Sequence, residues 1–471
     1  MLFVIILLTG FMLVFSLATS PLYPHNFSYD SAFYRLFGSE ILKGRTPYKD
    51  IWDHKGPVLF FIQALGAAGW KAGNNKGFNI LFLLQIISLS LSVFFLYQTY
   101  RIYGNQNRAG LKFSGIMICV LAVFSITIES GNLSEEWCIP MICCSFFLMM
   151  RYAKHTKYSV THSRRYAFFH GIFLGTIIMI RMNNAIPICA GLLIVGIYLM
   201  IKKQWKNLIE NILAGIIGIL CILTPIFVCF QSWDALQEMI YAAFTFNFKY
   251  IHIRSYIPYS GEPFITRYLP IAAAGSIYLI YLIRKHKIEL ADCITAAILA
   301  ASTWMLTDTN IYLHYFTIFI PVFFLVLIHC AKRMKLPEAL ILLAVSAWFV
   351  TLNIQRIPDL IALHRQGPMF TAAQQIPEEE RDSVIAVNLP SEIYLNYGLT
   401  PVSRFCAYQH VYFAIDPEMK TEFLDTLSEK KPQWILAFCS GETNIPEVQA
   451  LIDNQYQYKF DQSDICYYHR K

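Results

Sequence analysis

Long apolar blocks recur along almost the whole chain, and this repetition constrains its fold more than any other feature. A helix of about 20 apolar residues crosses a hydrocarbon core of about 30 Å, with every backbone amide satisfied inside its own segment. Such blocks fall at about residues 1–20, 76–100, 113–128, 137–152, 166–181, 184–201, 207–230, 267–284, 290–306, 311–331 and 337–354. They predict a polytopic α-helical membrane protein with about 11 transmembrane helices. Composition agrees: 56% of the residues are hydrophobic and 15% are charged, against about 25% charged in ordinary soluble domains. The first block lacks a basic leader and reads as a retained helix rather than a signal peptide.

Charge then orients the spans. Five alternate connections, "YRIYGNQNRAGLK", "RYAKHTKYSVTHSRRY", "KKQWK", "RKHK" and "AKRMK", hold seventeen Lys and Arg, whereas "ESGNLSEE" and "TDTNIYLH" hold none. Basic loops stay in the cytoplasm, so the N-terminus is expected inside. Residues 21–75, 129–136, 231–266, 307–312 and the tail after about 355 are expected outside. The net charge of +7 is therefore topological, and no nucleic-acid partner is expected. Of twelve cysteines, nine lie in or beside apolar blocks, where a thiol acts as a small hydrophobe. Cys406, Cys439 and Cys466 lie in the tail, an odd number that argues against complete oxidation there.

The block "PVLFFIQALGAAGW" at 57–70 is too short to span, and counting it would invert the later loops. It reads instead as an interfacial helix, with Trp52 and Trp70 at headgroup level. The first external loop, 21–75, thus holds two membrane-parallel helices, "SYDSAFYRLFGSEILKG" and "PVLFFIQALGAAGW", joined by "GRTPYKDIWDHKGP". Residues 231–266 form a second, aromatic-rich external loop. The tail predicts a small α/β domain: a strand in "RDSVIAVN", a short helix ending at Gly398, a second strand in "PVSRFCAY", and a helix capped by Asp416 with Pro417 first. A strand in "QWILAFC", a helix in "NIPEVQALIDN" and a closing strand or hairpin complete it. The organisation is a membrane domain, 1–354, followed by a linker and soluble domain, 355–471.

Polar groups gather on the outer side: Asp30; Asp50, Asp53, His54 and Lys55; Glu129, Asn132, Glu135 and Glu136; Arg181, Asn183 and Asn184; Asp308, Asn310 and His314. Ionisable residues at span edges are costly to hold and often functional. No Ser-His-Asp order, HExxH, P-loop or dinucleotide fingerprint is present. A carboxylate near Lys, His and Arg suits deprotonation of a hydroxyl while cations stabilise a departing phosphate. Outside the cell no nucleotide sugar is at hand, so an activated donor would arrive on a lipid.

The segment "YDSAFYRLFGSEILKGRTPYKDIWDHKGP" resembles the first external loop of GT-C-fold glycosyltransferases of the polyprenyl-phosphate-dependent, protein-mannosyltransferase-like and aminoarabinose-transferase-like clan. "GNLSEEW", "RMNNA", "HYFTIFIP", "PSEIYLNYGLTPVSRF" and "FLDTLSEKKPQWILA" extend the resemblance, in order, over nearly the whole chain. It implies a GT-C transmembrane domain that transfers a sugar from a polyprenyl-phosphate donor to a hydroxyl of a lipid, glycan or protein, with inversion, at the outer face of the plasma membrane. It implies Asp30 as the base, Lys55 with His54 and Arg181 as donor-phosphate contacts, and Glu135 or its rival Glu136, with His314 and Tyr315, as substrate contacts. Ser31 stands where many relatives carry a second acid; no cofactor is expected, and a divalent metal stays open.

Blander readings coexist with these. Asp30 could cap its helix, Lys55 could snorkel, Arg181 could anchor a helix end, and His314 could be a satisfied core residue. Two other functions also fit a chain of this kind. A flippase of lipid-linked sugars would carry polar groups near mid-membrane, and a catalytically silent scaffold would keep the fold alone.

Overall fold

The computed structural model describes residues 17, 19–20, 22, 28–68, 79–103, 109–124, 131–253, 264–307, 312–330, 336–365, 370–440 and 445–471. The expected first span, Trp70, Glu129, Asp308 and Asn310 lie outside these residues. Along the chain run α1 (Tyr29–Leu42), α2 (Pro57–Ala67), α3 (Asn79–Tyr103), α4 (Ala109–Phe124), α5 (Ser134–His155), α6 (Arg164–Arg181), α7 (Ile186–Ile201) and α8 (Trp205–Ser232). They are followed by α9 (Leu236–Ile240), α10 (Phe246–Ile253), α11 (Phe264–Ile283), α12 (Leu290–Met305), α13 (Phe319–Cys330) and α14 (Leu336–Arg365). The tail holds β1 (Val384–Ala386), α15 (Glu392–Tyr397), α16 (Gln409–Ile415), α17 (Pro417–Lys430), β2 (Trp434–Phe438), α18 (Pro446–Gln455), β3 (Tyr456–Gln462) and β4 (Ile465–Arg470).

Helices stand at the expected positions of the other ten blocks. Four stretches are long and apolar enough to cross a membrane: Ile80–Tyr103, Arg164–Ile201, Trp205–Ser232 and Leu313–Cys330. The second is the predicted pair 166–181 and 184–201, broken at Arg181, whose φ of −159° and ψ of 108° leave the helical region before a short turn at Met182–Ala185.

By contact the chain divides into two compact units. One comprises Gln85–Val228 and Tyr259–Ile361; the other comprises Leu17–Leu84, Cys229–Pro258 and Ala362–Lys471. In the first, every residue of α13 is buried, so this helix, apolar but for His329 in its last turn, is a core element. On α8, by contrast, Ile209, Ile212, Leu213, Ile216, Ile217 and Leu220 are exposed, as suits a face in contact with lipid. Glycines let α6 and α8 meet backbone to backbone. A Cβ at Gly171 would lie 2.1 Å from the Gly215 oxygen, and one at Gly218 would lie 2.2 Å from the Phe168 oxygen. This is the small-residue contact expected where lipid supplies no hydrophobic drive between helices.

The second unit joins the segment carrying α1 and α2 to the tail. In it, α1 packs on α2 at Gly38, where a Cβ would lie 2.5 Å from the Gln63 carbonyl carbon, and Phe37 stacks on Phe60 at 3.6 Å. The tail sheet has the order β1-β2-β4-β3. β1 runs parallel to β2, with Val384 opposite Trp434, and the other neighbours are antiparallel. Ser463 and Asp464, at φ 52° and 63°, close the β3–β4 hairpin in the left-handed region that tight hairpin turns require. Gly398, at φ 66°, ends α15. Asp416 caps α17 through Glu418 N, with Pro417 in the first turn. Cys439 and Cys466 form a disulfide, leaving Cys406 buried as a free thiol.

Two expectations are corrected. "PVSRFCAY" is no strand; its sole ladder contact among the described residues is an isolated bridge from Pro401 to Val384. Its backbone instead serves the first loop: Trp52 N donates to the Arg404 oxygen at 3.0 Å, and the Arg45 guanidinium donates to the Pro401 oxygen at 2.8 Å. Trp52 is no headgroup anchor either. It is buried among Phe246, Phe405 and Tyr412.

Candidate functional site

The segment between α1 and α2 is held tightly. Tyr48, a bulky residue at φ 68°, sits in a region such side chains rarely adopt. Its backbone N–H donates to the Ile51 oxygen at 2.7 Å, and its hydroxyl donates to the Lys55 oxygen at 2.7 Å. Arg404 donates to the Tyr48 oxygen at 2.8 Å. A strained residue fixed from both sides marks a shape that the surroundings impose.

What this turn positions is a buried charged cluster. Asp53 Oδ1 accepts from His54 N at 2.6 Å and from the Tyr412 hydroxyl at 3.2 Å. It lies 3.0 Å from His54 Nδ1 and 3.6 Å from Lys55 Nζ. Lys55 Nζ also meets His54 Nε2 at 3.1 Å and lies 5.7 Å from the centre of the Tyr34 ring. Asn247 donates to the His54 oxygen at 2.8 Å. Burial alone would push the Asp53 carboxyl up. The Lys55 ammonium, the His54 imidazole and the hydrogen bonds from His54 outweigh it and hold the carboxyl well below the usual range. Asp53 is thus an anion that fixes Lys55 and His54 in place; its Oδ2 is buried with no hydrogen-bond partner among the described residues.

Asp30 lies within the first turn of α1, and Ser28 is the cap residue, so Asp30 is not the N-cap. Its Oδ1 accepts from the Tyr408 hydroxyl at 2.7 Å. Tyr408 is the N-cap residue of α16 and Tyr412 lies one turn into it, their rings 6.2 Å apart. One tail helix therefore brings a hydroxyl to each of the two acids. Burial, helped by Asp30, raises the Tyr408 hydroxyl well above its ordinary value, so it stays protonated and donates.

In the other unit, Arg181 forms an ion pair with Glu135 and sits 4.0 Å from the centre of the Tyr315 ring. Ser134 Oγ donates to Glu135 Oε2 at 2.9 Å and accepts from Arg181 at 3.3 Å. Glu136 faces differently: it accepts from Gln85 Nε2 at 3.0 Å and from Asn132 N at 2.7 Å, and so holds the turn before α5. The two rival acids thus have separate partners, and Glu135 is the one beside Arg181. His314 is buried, stacked on Tyr312 and edge-on to Tyr315 at 4.7 Å.

Sequence reasoning noticed Asp53 without singling it out, and it missed Tyr408 and Tyr412. Nothing local marks these tyrosines, because their partners lie 378 and 359 residues away.

No protein-family model matches the chain, and no curated protein matches it in sequence. Solved structures do. ArnT from Cupriavidus metallidurans bound to undecaprenyl phosphate is 11% identical, with a TM-score of 0.62 over 99% of this chain and 97% of that one. The same protein in the apo state gives 0.60 over the same shares. The oligosaccharyltransferase of Archaeoglobus fulgidus in the apo form is 10% identical, with a TM-score of 0.51 over 99% of this chain and 74% of that one. The chain has the GT-C fold.

Proposed function

We propose that this chain is a membrane glycosyltransferase that transfers a sugar from a polyprenyl-phosphate donor to a hydroxyl acceptor at the outer face of the plasma membrane, inverting the anomeric centre. The observation that carries this reading is the Asp53–His54–Lys55 cluster, a lysine and an imidazole fixed beside an anion in a chain with the fold of ArnT. ArnT was solved with undecaprenyl phosphate bound, which makes a polyprenyl phosphate the natural probe for the donor.

In the proposed reaction the acceptor oxygen attacks the anomeric carbon as its proton passes to Asp30. The bond from that carbon to the phosphate oxygen breaks, and the new negative charge on the lipid phosphate is offset by Lys55, with His54 beside it. In the other unit Arg181, oriented by Glu135, offers a cation to a phosphate, and Tyr315 and His314 beside it offer polar groups to a substrate. Glu136 keeps the turn before α5 in shape. The tail, through Tyr408, orients the base and shapes acceptor access. Orientation with the tail outside is supported by the basic loops and by a disulfide, which persists in oxidising compartments.

The test is transfer by purified protein from a lipid-linked sugar. Asp30→Asn is expected to slow transfer by roughly 10²-fold or more, the usual contribution of a positioned base, with donor binding retained. Lys55→Ala is expected to weaken donor binding as well as transfer. If Asp30→Asn works at the wild-type rate, the base is elsewhere.

A further inference from the structure

A second polar site lies at the far end of the membrane helices from Glu135, about 30 Å away along α5 at about 1.5 Å per residue. It is a cavity of about 300 Å³ where α11 turns into α12, walled also by the ends of α3 and α13. Its acids are already engaged. Asp292 Oδ2 accepts from Lys285 Nζ at 2.5 Å and from Glu289 N at 2.7 Å, and Oδ1 accepts from the Tyr281 hydroxyl at 3.1 Å. Glu289 completes a capping box with Asp292 and lies 3.5 Å from Lys285.

Beside the exposed His286, two groups on the wall are left over. His329 is buried, with its ring stacked on Tyr103 at 5.1 Å. Its Nδ1 lies 3.0 Å from the Leu325 oxygen; a carbonyl can only accept, so Nδ1 carries a proton. Nε2 is buried with no partner among the described residues, which is costly unless a ligand satisfies it. A hydroxyl does so whether that nitrogen is bare or protonated, because it can donate or accept. The other is Lys287, exposed and without an ion pair among the described residues. What remains, beside His286, is one cation and one buried imidazole nitrogen.

We infer that this cavity binds a hydroxyl-bearing phosphate ester, its phosphate on Lys287 and its hydroxyl on His329 Nε2. The site sits beside the basic connection "RKHK", where pockets between membrane helices take anionic headgroups. A phosphoglycerol lipid headgroup and a free glycerol phosphate share this chemistry.

Native mass spectrometry of the full chain in detergent, with phosphatidylglycerol against phosphatidylcholine, tests the lipid source. Thermal shift with glycerol phosphate tests the soluble one. Lys287→Ala alters an exposed side chain, and His329→Phe keeps the ring on Tyr103 while removing the nitrogen. Selective binding of either ligand to wild type, reduced about tenfold or more in both variants, is expected from loss of a charge-assisted contact or of a buried one. If neither ligand binds selectively, or if either variant binds like wild type, the inference fails.

Discussion

At the scale of single residues, a charge's meaning depends on partners that sequence order hides. Asp30, Lys55 and Arg181 stood out as candidates because their residue types and motif contexts are conspicuous in an apolar chain. Asp53 was not, since its role rests on Tyr412, 359 residues on. Glu392 makes the same point and gives a pH prediction. Burial raises its carboxyl from 4.5 to about 7, against a lowering by a hydrogen bond from its own backbone and by Arg35, and one of its oxygens has no partner among the described residues. A folded-state value above the unfolded one means that the native state holds the proton more tightly. That contribution to stability is therefore full below about pH 4.5 and is lost as pH rises through about 7. Thermal unfolding in detergent should show wild type losing stability relative to Glu392→Gln across this window. Parallel pH profiles for the two proteins would refute the assignment.

At the scale of elements, periodicity served well where lipid or a core imposes a simple rule. Long apolar runs became helices, Asp416 and Pro417 opened α17, and Gly398 closed α15. "PVSRFCAY" failed because alternation alone cannot tell a strand from a segment whose amides and carbonyls bind a distant loop. Glycine contacts were also invisible as contacts, although Gly171 and Gly218 are plain in the sequence. Gly38→Ala should force α1 off α2, because the obstructing atoms are the Gln63 and Ala64 backbone and cannot swing aside. A loss of about 1–3 kcal/mol is the usual cost of such overpacking. Limited proteolysis of the first loop should accelerate accordingly, and unchanged cleavage would contradict the packing.

At the scale of the molecule, the fold was legible to a useful depth. Apolar blocks gave a polytopic helical protein, and ordered motifs gave the GT-C fold. How the segment carrying α1 and α2 shares one compact unit with the tail was not, because those contacts join residues more than 350 positions apart. Orientation can be tested through the disulfide. If the tail lies outside, Cys439 and Cys466 should react with a thiol-specific tag in acid-quenched, denatured cells only after reduction. Their labelling without reduction would place the tail in the cytoplasm. The account's central claim is chemical, and product analysis tests it most directly. Given a polyprenyl-phosphate sugar and membranes containing an acceptor, the purified protein should release free polyprenyl phosphate in step with glycosylated product, and Asp30→Asn should release neither at a comparable rate. Movement of intact lipid-linked sugar across the bilayer, with no free polyprenyl phosphate formed, would contradict it.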